Sequence, residues 1–504
     1  MLYAQFNLGV IYADGKYVTR DINKAIHYYL LAAKQNDSDA QYNLGAIYGK
    51  KEYMMFDIEK SIHYYSLASD QDYGIAQFNL GLIYYENKYV NRDTDKAIHY
   101  IELAAKHNLP AALIQLGRIY YDGLFVTRDV SRAIYYFSKA ADQNDAQAQL
   151  YLALMYITDD TNKDIQKAIH YFKLAAEQNN SFAQLNLGII YFEGKYVKRD
   201  VPKSIFYLQQ SALQNNKHAL FKLGILYFEG IHVVYDIKKV IEYFTKASYL
   251  DEPLAQFFLG MFYLEGKFIK QDVNKGLHFL VLASNNNLHF ANFVLGCLYH
   301  EGIYLKYDIQ KAIHFYKEAS SFKNEKAKNN LGILYKNGVK DNVEKKIGDA
   351  IVYFNESIQQ SKDAVSMYNL AHIYLYDKNL FKENIDKILK LLIMSSNKGF
   401  FPSKILLCLA LINKFGFNFD AIKNELDVHS IHLFDNIYKV MKNHHLDDQE
   451  MFDKVYEDYK NVDFLYNYSG DPIFSRIKKT SQNININNIK VINNLFYEGF
   501  EISI

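Results

Sequence analysis

The chain is poor in the residues that usually announce a chemistry. It has no Trp, two Cys and five Pro among 504 residues. The two Cys, Cys297 and Cys408, lie far apart, which excludes a disulfide framework and any Cys-x-x-Cys metal or redox site. An excess of one charge is also missing. Against 57 basic side chains stand 56 acidic ones, a net of +1, which argues against a nucleic-acid binder built on a broad basic face. The longest purely apolar stretch, Ile405 to Ile412, is far short of the roughly 18 residues that span a bilayer, so no membrane insertion is expected. No HExxH, GxSxG, GxGxxG or P-loop pattern is present, and no catalytic, cofactor-binding or metal-binding residue is assigned. What the chain does have is rings, 45 Tyr and 34 Phe, in a composition half apolar and 22% charged. That composition belongs to a folded protein.

An internal period organises these rings. Leu8-Gly9-x-x-Tyr12 returns at Leu44, Leu80, Leu116, Leu152, Leu187, Leu223, Leu259, Leu295, Leu331 and Leu370. All steps are 36 residues except one of 35 and a last one of 39. Leu and Tyr are present in every copy, and Ala153 and Ala371 replace the Gly in two. Each unit reads as two helices. The first, as in Ala4 to Asp14, sets Ala4, Leu8, Ile11 and Tyr12 on one face. It stops at a Gly suited to the left-handed region, such as Gly15, a column that also holds Asn87, Asp159 and Asp377. A short loop leads to an N-cap Asp, present in nine successive units from Asp21 to Asp308. The second helix then buries Ala25, Ile26, Tyr29 and Ala32-Ala33. No 36-residue unit buries its apolar face alone, so neighbours must stack. The expected fold is all-α, a solenoid of eleven to twelve two-helix repeats over residues 1–415.

The consensus A-Q-x-N-L-G-x-x-Y-x-x-G-x-x-V-x-R-D-x-x-K-A-I-H-Y-Y-x-x-A-A, carried by Ala4 to Ala33, Ala76 to Ala105 and Ala183 to Ala212, resembles the Sel-1-like repeat family, a relative of the tetratricopeptide repeat. The resemblance covers about residues 1–400. It implies a right-handed α/α superhelix that acts as an adaptor for protein complexes. Its members include components of endoplasmic-reticulum-associated degradation, bacterial signalling and virulence factors, and arms attached to protein kinase domains. This chain lacks the repeated cysteines of the penicillin-binding branch, and neither a signal peptide nor a terminal membrane helix is visible in it.

Three columns are candidates for function. Six His (His27, His63, His99, His170, His278 and His314) share one position. Equivalent positions in stacked helices lie roughly 10 Å apart, too far to share a metal ion, and they read as helix-surface residues. The column that ends the first helix is acidic in seven of eleven units, against the helix macrodipole. Arg20, Arg92, Arg128 and Arg199 lie six residues beyond Asp14, Glu86, Asp122 and Glu193, and a local ion pair bracing the loop is the favoured reading. Where the basic partner becomes Tyr235, Gln271 and Tyr307, the carboxylates of Glu229, Glu265 and Glu301 are candidates for a basic peptide. By resemblance to the tetratricopeptide groove, Phe221, Phe257 and Phe293 form a candidate aromatic track for hydrophobic anchors, with inter-repeat packing as the alternative role of that column.

The expected function is a non-enzymatic scaffold that binds other proteins or peptides along its groove in the cytoplasm, with no nucleic acid and no cofactor. Two alternatives are the arm of an enzyme whose catalytic domain, such as a kinase, lies upstream of Met1, and an adaptor in endoplasmic-reticulum degradation. Because Met1 enters the pattern already inside a first helix, an upstream segment or a partner is expected to cover that end. At the other end, a helical cap is expected over 416–468 and a loosely ordered Asn/Ile-rich tail over 469–504.

Overall fold

The computed structural model describes residues 2–86, 88, 90–338, 345–400, 402–415, 464–466 and 472–474. They belong to two compact units, those up to Val233 and those from Val234 on.

In the first unit thirteen helices run from Leu2–Asp14 to Lys217–Glu229, each packed on its neighbours in sequence and several on the next but one. One repeat, Ser38–Tyr48 followed by Ile58–Ser69, shows how the columns build it. Asp57 caps the second helix by accepting the Lys60 N–H at 3.0 Å. The Lys60 ammonium returns to the Asp57 carboxylate at 3.0 Å and lies 5.3 Å from the centre of the Tyr48 ring. Tyr48 in turn stacks on Tyr64 of the second helix, 5.8 Å between centres. Cap, cation and stacked rings thus form one unit that joins the two helices of a repeat. The same stack recurs from Tyr12–Tyr28 to Tyr191–Tyr207. The Gly column seats the second helix. A Cβ at Gly117 would lie 2.6 Å from the Phe137 ring, so a larger residue there would force that ring to shift.

Second helices end on a column of Asn and Asp with positive φ: Asn36, Asp72, Asn108, Asn144, Asn179 and Asn215 in this unit. Such residues tolerate the left-handed turn. A Gln of the next first helix closes the joint. Gln77 is buried and donates to the Ser69 carbonyl and the Asp72 carboxylate. Gln184 donates to the Ala176 carbonyl and accepts from Gln214 at 2.8 Å. The left-handed Gly is present at Gly15, Gly123, Gly194 and Gly230. Asp159 departs from that column's expectation, with φ −87°. Asn87 lies outside the described residues.

The second unit continues the scheme from Ile237–Tyr249 to Pro402–Phe415, the last being the degenerate twelfth first helix. Stacks recur at Tyr263–Phe279, Tyr299–Phe315 and Tyr335–Tyr353. Asp377 is extended, at φ −97°, and caps the 20-residue helix Lys378–Asn397. The second unit also holds an element that no period forecasts, an antiparallel pair of strands, Phe464–Tyr466 and Pro472–Phe474. Its register sets Phe464 opposite Phe474, Leu465 opposite Ile473 and Tyr466 opposite Pro472. The expected helical cap (416–468) and tail (469–504) otherwise lie outside the described residues. Where they are described, the chain is strand. No described helix is long and apolar enough to cross a membrane.

Candidate partner-binding face

The four arginines predicted to brace the loops do so through carbonyls at the helix ends, and Arg128 also pairs with Asp159 of the next loop at 3.9 Å. Arg20 donates from Nε to the Ala13 carbonyl at 3.0 Å, Arg92 to Tyr85 at 2.7 Å and Arg128 to Tyr121 at 3.1 Å. Arg199 donates from Nη2 to the Glu193 carbonyl at 3.2 Å. They satisfy the orphan carbonyls at the end of the first helix, while Asp14, Glu86, Asp122 and Glu193 stay exposed. The turn itself is the reason. At Gly15 the chain folds back so tightly that a Cβ there would lie 2.7 Å from that of Arg20, which brings the guanidinium over the helix end. The same arginines reach into the next loop. Arg20 donates to the Tyr53 hydroxyl at 2.6 Å, Arg92 lies 4.2 Å from the Phe125 ring centre, and Arg199 is 2.9 Å from His232.

The candidate carboxylates differ from those four in being half-buried. At Glu229 burial raises the carboxyl pKa, opposed by Lys222 and His232. Lys222 is itself held low by burial, against the pull of Glu193 and Glu229, so the first-unit carboxylate has a cation at hand. In the second unit, burial raises the Glu265 carboxyl with Lys267 opposing. Glu265 and Glu301 both act on the half-buried Tyr304 hydroxyl. Glu301 also acts on buried Cys297 and Tyr316.

The aromatic track is corrected. Phe221 and Phe293 are buried, at 0% and 4% exposure, and Phe257 is half-buried in the second unit's core. Phe293 packs 6.1 Å from Tyr316. These side chains are inter-helix packing, because that column faces the neighbouring helices. The six column histidines are exposed, each beside the ring that follows it, as in His27–Tyr28 at 5.3 Å. Among the described residues no three His, Cys, Asp or Glu converge as a metal site.

An accessible first-helix face does exist, on other columns. In the first unit the second position of the first helix is exposed at Asp39, Ile75, Ala111, Gln147 and Phe182. The last position is exposed at Glu86, Asp122, Thr158 and Glu193, as is Lys50, which stands in that column just past its helix. Between them Asn43, Asn79, Gln115, Tyr151 and Asn186 are half-buried. A cavity of about 260 Å³ opens on this face, with buried Phe137, Leu154 and Met155 beneath and exposed Arg118 and Asp122 beside Tyr121 and Tyr151. In the second unit two of these columns are more covered. In the first of them Leu254, Phe290 and Lys326 are half-buried and Val365 is buried. In the middle one Phe258, Val294, Asn330 and Asn369 are buried, whereas the last column still has Asn337 exposed. The strand Phe464–Tyr466 lies against two of these first helices, Glu325–Asn337 and Ala364–Tyr376. Sequence reasoning had singled out the last of these columns for its acidity, but neither of the other two nor the strand. The only sequence signal was apolar Ile75 and Phe182 in a column otherwise mixed.

The model of the Sel1 repeat matches eleven successive segments: 2–37, 38–73, 74–109, 110–145, 146–180, 181–216, 217–252, 253–288, 289–321, 326–362 and 364–400. The chain belongs to the Sel1 repeat family. Its fold is the tetratricopeptide-like, all-helical Sel1 solenoid, a fold typical of protein-interaction scaffolds. Among solved structures, it is similar to the protective antigen c5321 of uropathogenic Escherichia coli, which displays the same fold. That match has 20% identity and a TM-score of 0.54 over 96% of this chain and 97% of that one. It is also similar to a Sel1 repeat protein of Oxalobacter formigenes, at 26% identity and a TM-score of 0.50 over 61% of this chain and 90% of that one. No curated protein matches the sequence.

Proposed function

We propose that this Sel1 repeat chain is a non-enzymatic scaffold that holds a partner protein or peptide on the first-helix face of its first unit. The observation that carries the reading is the cavity floored by buried Phe137, Leu154 and Met155 and rimmed by Arg118, Asp122, Tyr121 and Tyr151, on a face that also exposes Ile75 (43%) and Phe182 (52%). An apolar-floored pocket with a few polar groups at its rim is the usual form of a binding site. Glu229 in the first unit, and separately Glu265 and Glu301 in the second, are proposed as contacts for basic groups; at Glu229 and Glu265 an arriving cation would offset the burial that opposes the ionised form. A cytoplasmic setting accords with a chain whose two cysteines lie far apart in the sequence.

The test places a photo-crosslinking residue in the full chain at Ile75 or Phe182, and for comparison at His27 or His170 on the second helices. Crosslinks to one and the same protein from the first two positions only are expected, and Phe182→Asp should abolish them. Crosslinks arising solely from the histidine positions would overturn the reading. Charge reversal at Glu229, Glu265 and Glu301 that leaves capture unchanged would remove the acidic contacts from it.

A further inference from the structure

The cavity on the first unit's face is made by two departures from the repeat, in adjacent copies. Leu82, Leu154, Ile189 and Ile225 fill one column of the first helices, half-buried or buried. Arg118 takes that place in the fourth repeat and stands exposed, where an aliphatic side chain would close over the floor of Phe137, Leu154 and Met155. In the fifth repeat Tyr151 replaces the carboxamide that Asn43, Asn79, Gln115 and Asn186 supply. Its ring stacks on Phe137, 4.9 Å between centres. One departure opens the cavity and the other walls it with a further ring.

Size and rim restrict what the cavity holds. A dry cavity of about 150 Å³ takes a benzene ring, so the volume of about 260 Å³ here has room for one aromatic residue and little more. Three rings, Phe137, Tyr121 and Tyr151, line it with the Met155 thioether, and rings and sulfur alike favour contact with another ring. At the rim Arg118 and Asp122 stand four residues apart on the helix Pro110–Asp122. Cβ atoms so placed lie about 5–6 Å apart. Cation before anion is the less favourable order along a helix, and Asp122 sits at the negative end of the macrodipole. Neither side chain makes an ion pair or a hydrogen bond among the described residues. A single carbon that bears both a carboxylate and an ammonium complements the two at that spacing.

We propose that this cavity binds a free aromatic α-amino acid. The ring lies on Phe137 and Met155, the α-carboxylate meets the Arg118 guanidinium and the α-ammonium meets the Asp122 carboxylate. Charge-assisted hydrogen bonds of this kind are the strong ones, and they discriminate against a ligand that lacks either group. The inference rests on the cavity and not on a partner, so it goes beyond the scaffold reading. The amino acid and a partner's anchoring side chain exclude each other at this place.

The chain has no Trp, so the emission of L-tryptophan reports its own seating. Titration of the unaltered full chain with L-tryptophan should give saturable binding. N-acetyl-L-tryptophan, which lacks the ammonium, and L-tryptophanamide, which lacks the carboxylate, should each bind at least tenfold more weakly. Arg118→Gln should bind L-tryptophan and L-tryptophanamide equally, and Asp122→Asn should bind L-tryptophan and its N-acetyl form equally. Each variant removes the partner of the group that the analogue lacks, so the two changes do not add. Both residues are exposed, and the analogues on the unaltered chain decide the matter even where a variant fails to fold. No saturable binding would overturn the proposal. Equal binding of all three compounds would do so too, since the cavity would then read only a ring. Full binding of N-acetyl-L-tryptophan with loss of the amide would also overturn it, because the ligand would then be the last residue of a partner chain. Crosslinks at Ile75 and Phe182 report a captured protein and the titration does not, so the two readings fail separately.

Discussion

Ile75 in the first unit is 43% exposed, and Val365, which occupies the same column in the second, is 3% exposed. The helices around them are built alike, with the stacked Tyr pair of Tyr84–Tyr100 in one and Tyr335–Tyr353 in the other. The contrast therefore lies in the outward columns rather than in the shared stack. In the second unit the middle one of these columns turns apolar at Phe258 and Val294, both buried, and a non-repeating strand lies against the first helices of the tenth and eleventh repeats. A repeat dictates how a unit folds and stacks, whereas its outward columns vary from unit to unit.

The largest test of that contrast is a matched pair of substitutions. Val365→Asp buries an unpaired carboxylate and should cost about 3–5 kcal/mol, whereas Ile75→Asp should stay within about 0.5 kcal/mol. Thermal and urea unfolding of both variants would measure the difference. Similar losses from the two would erase the distinction between the faces.

A pH effect comes next. His300 lies in the second unit, 3.3 Å from the Tyr316 hydroxyl, and burial lowers its pKa from 6.5 to about 4. Between those values the unfolded chain binds the proton and the folded one does not. Stability should be unaffected above pH 6.5, fall as pH drops from 6.5 to 4, and lose no more below it, by about 3 kcal/mol in all. His300→Phe should remove that loss. An unchanged pH profile in the variant would place the titration elsewhere.

Asn369 donates to the buried Asn329 carbonyl oxygen at 2.9 Å, and removing its amide leaves that oxygen with one donor fewer. Asn369→Ala should cost about 1–3 kcal/mol, while Asn79→Ala in the half-exposed counterpart should cost only a few tenths, as read by native-state hydrogen exchange of the flanking helices. The smallest effect is at the loops. Arg20→Ala removes a carbonyl cap and a bond to Tyr53, and about 0.5–1.5 kcal/mol should be lost; Arg20→Lys, without the planar fork, should recover only part of it.

Most of the scaffold was legible in the sequence because it is periodic. The Leu and Tyr columns, the capping Asp and the Gly after each first helix all state local rules that each unit obeys independently. The failures share a cause as well. Arg20 was paired with Asp14 by spacing, but the left-handed turn at Gly15 directs it to the Ala13 carbonyl. The Asn36 column reads as mere Asn abundance until its positive φ is seen. Phe221 and Phe293 stand where the tetratricopeptide groove would be, yet the neighbouring helices bury them. The hairpin was invisible because Phe464–Phe474 repeats nothing.

The central claim, one face open in the first unit and covered in the second, is tested most directly by hydroxyl-radical footprinting of the unaltered full chain, read residue by residue by mass spectrometry. The account predicts rapid oxidation at Phe182 and Ile75, and protection at Val365, which occupies the same column. Oxidation of Val365 as fast as Ile75 would contradict it.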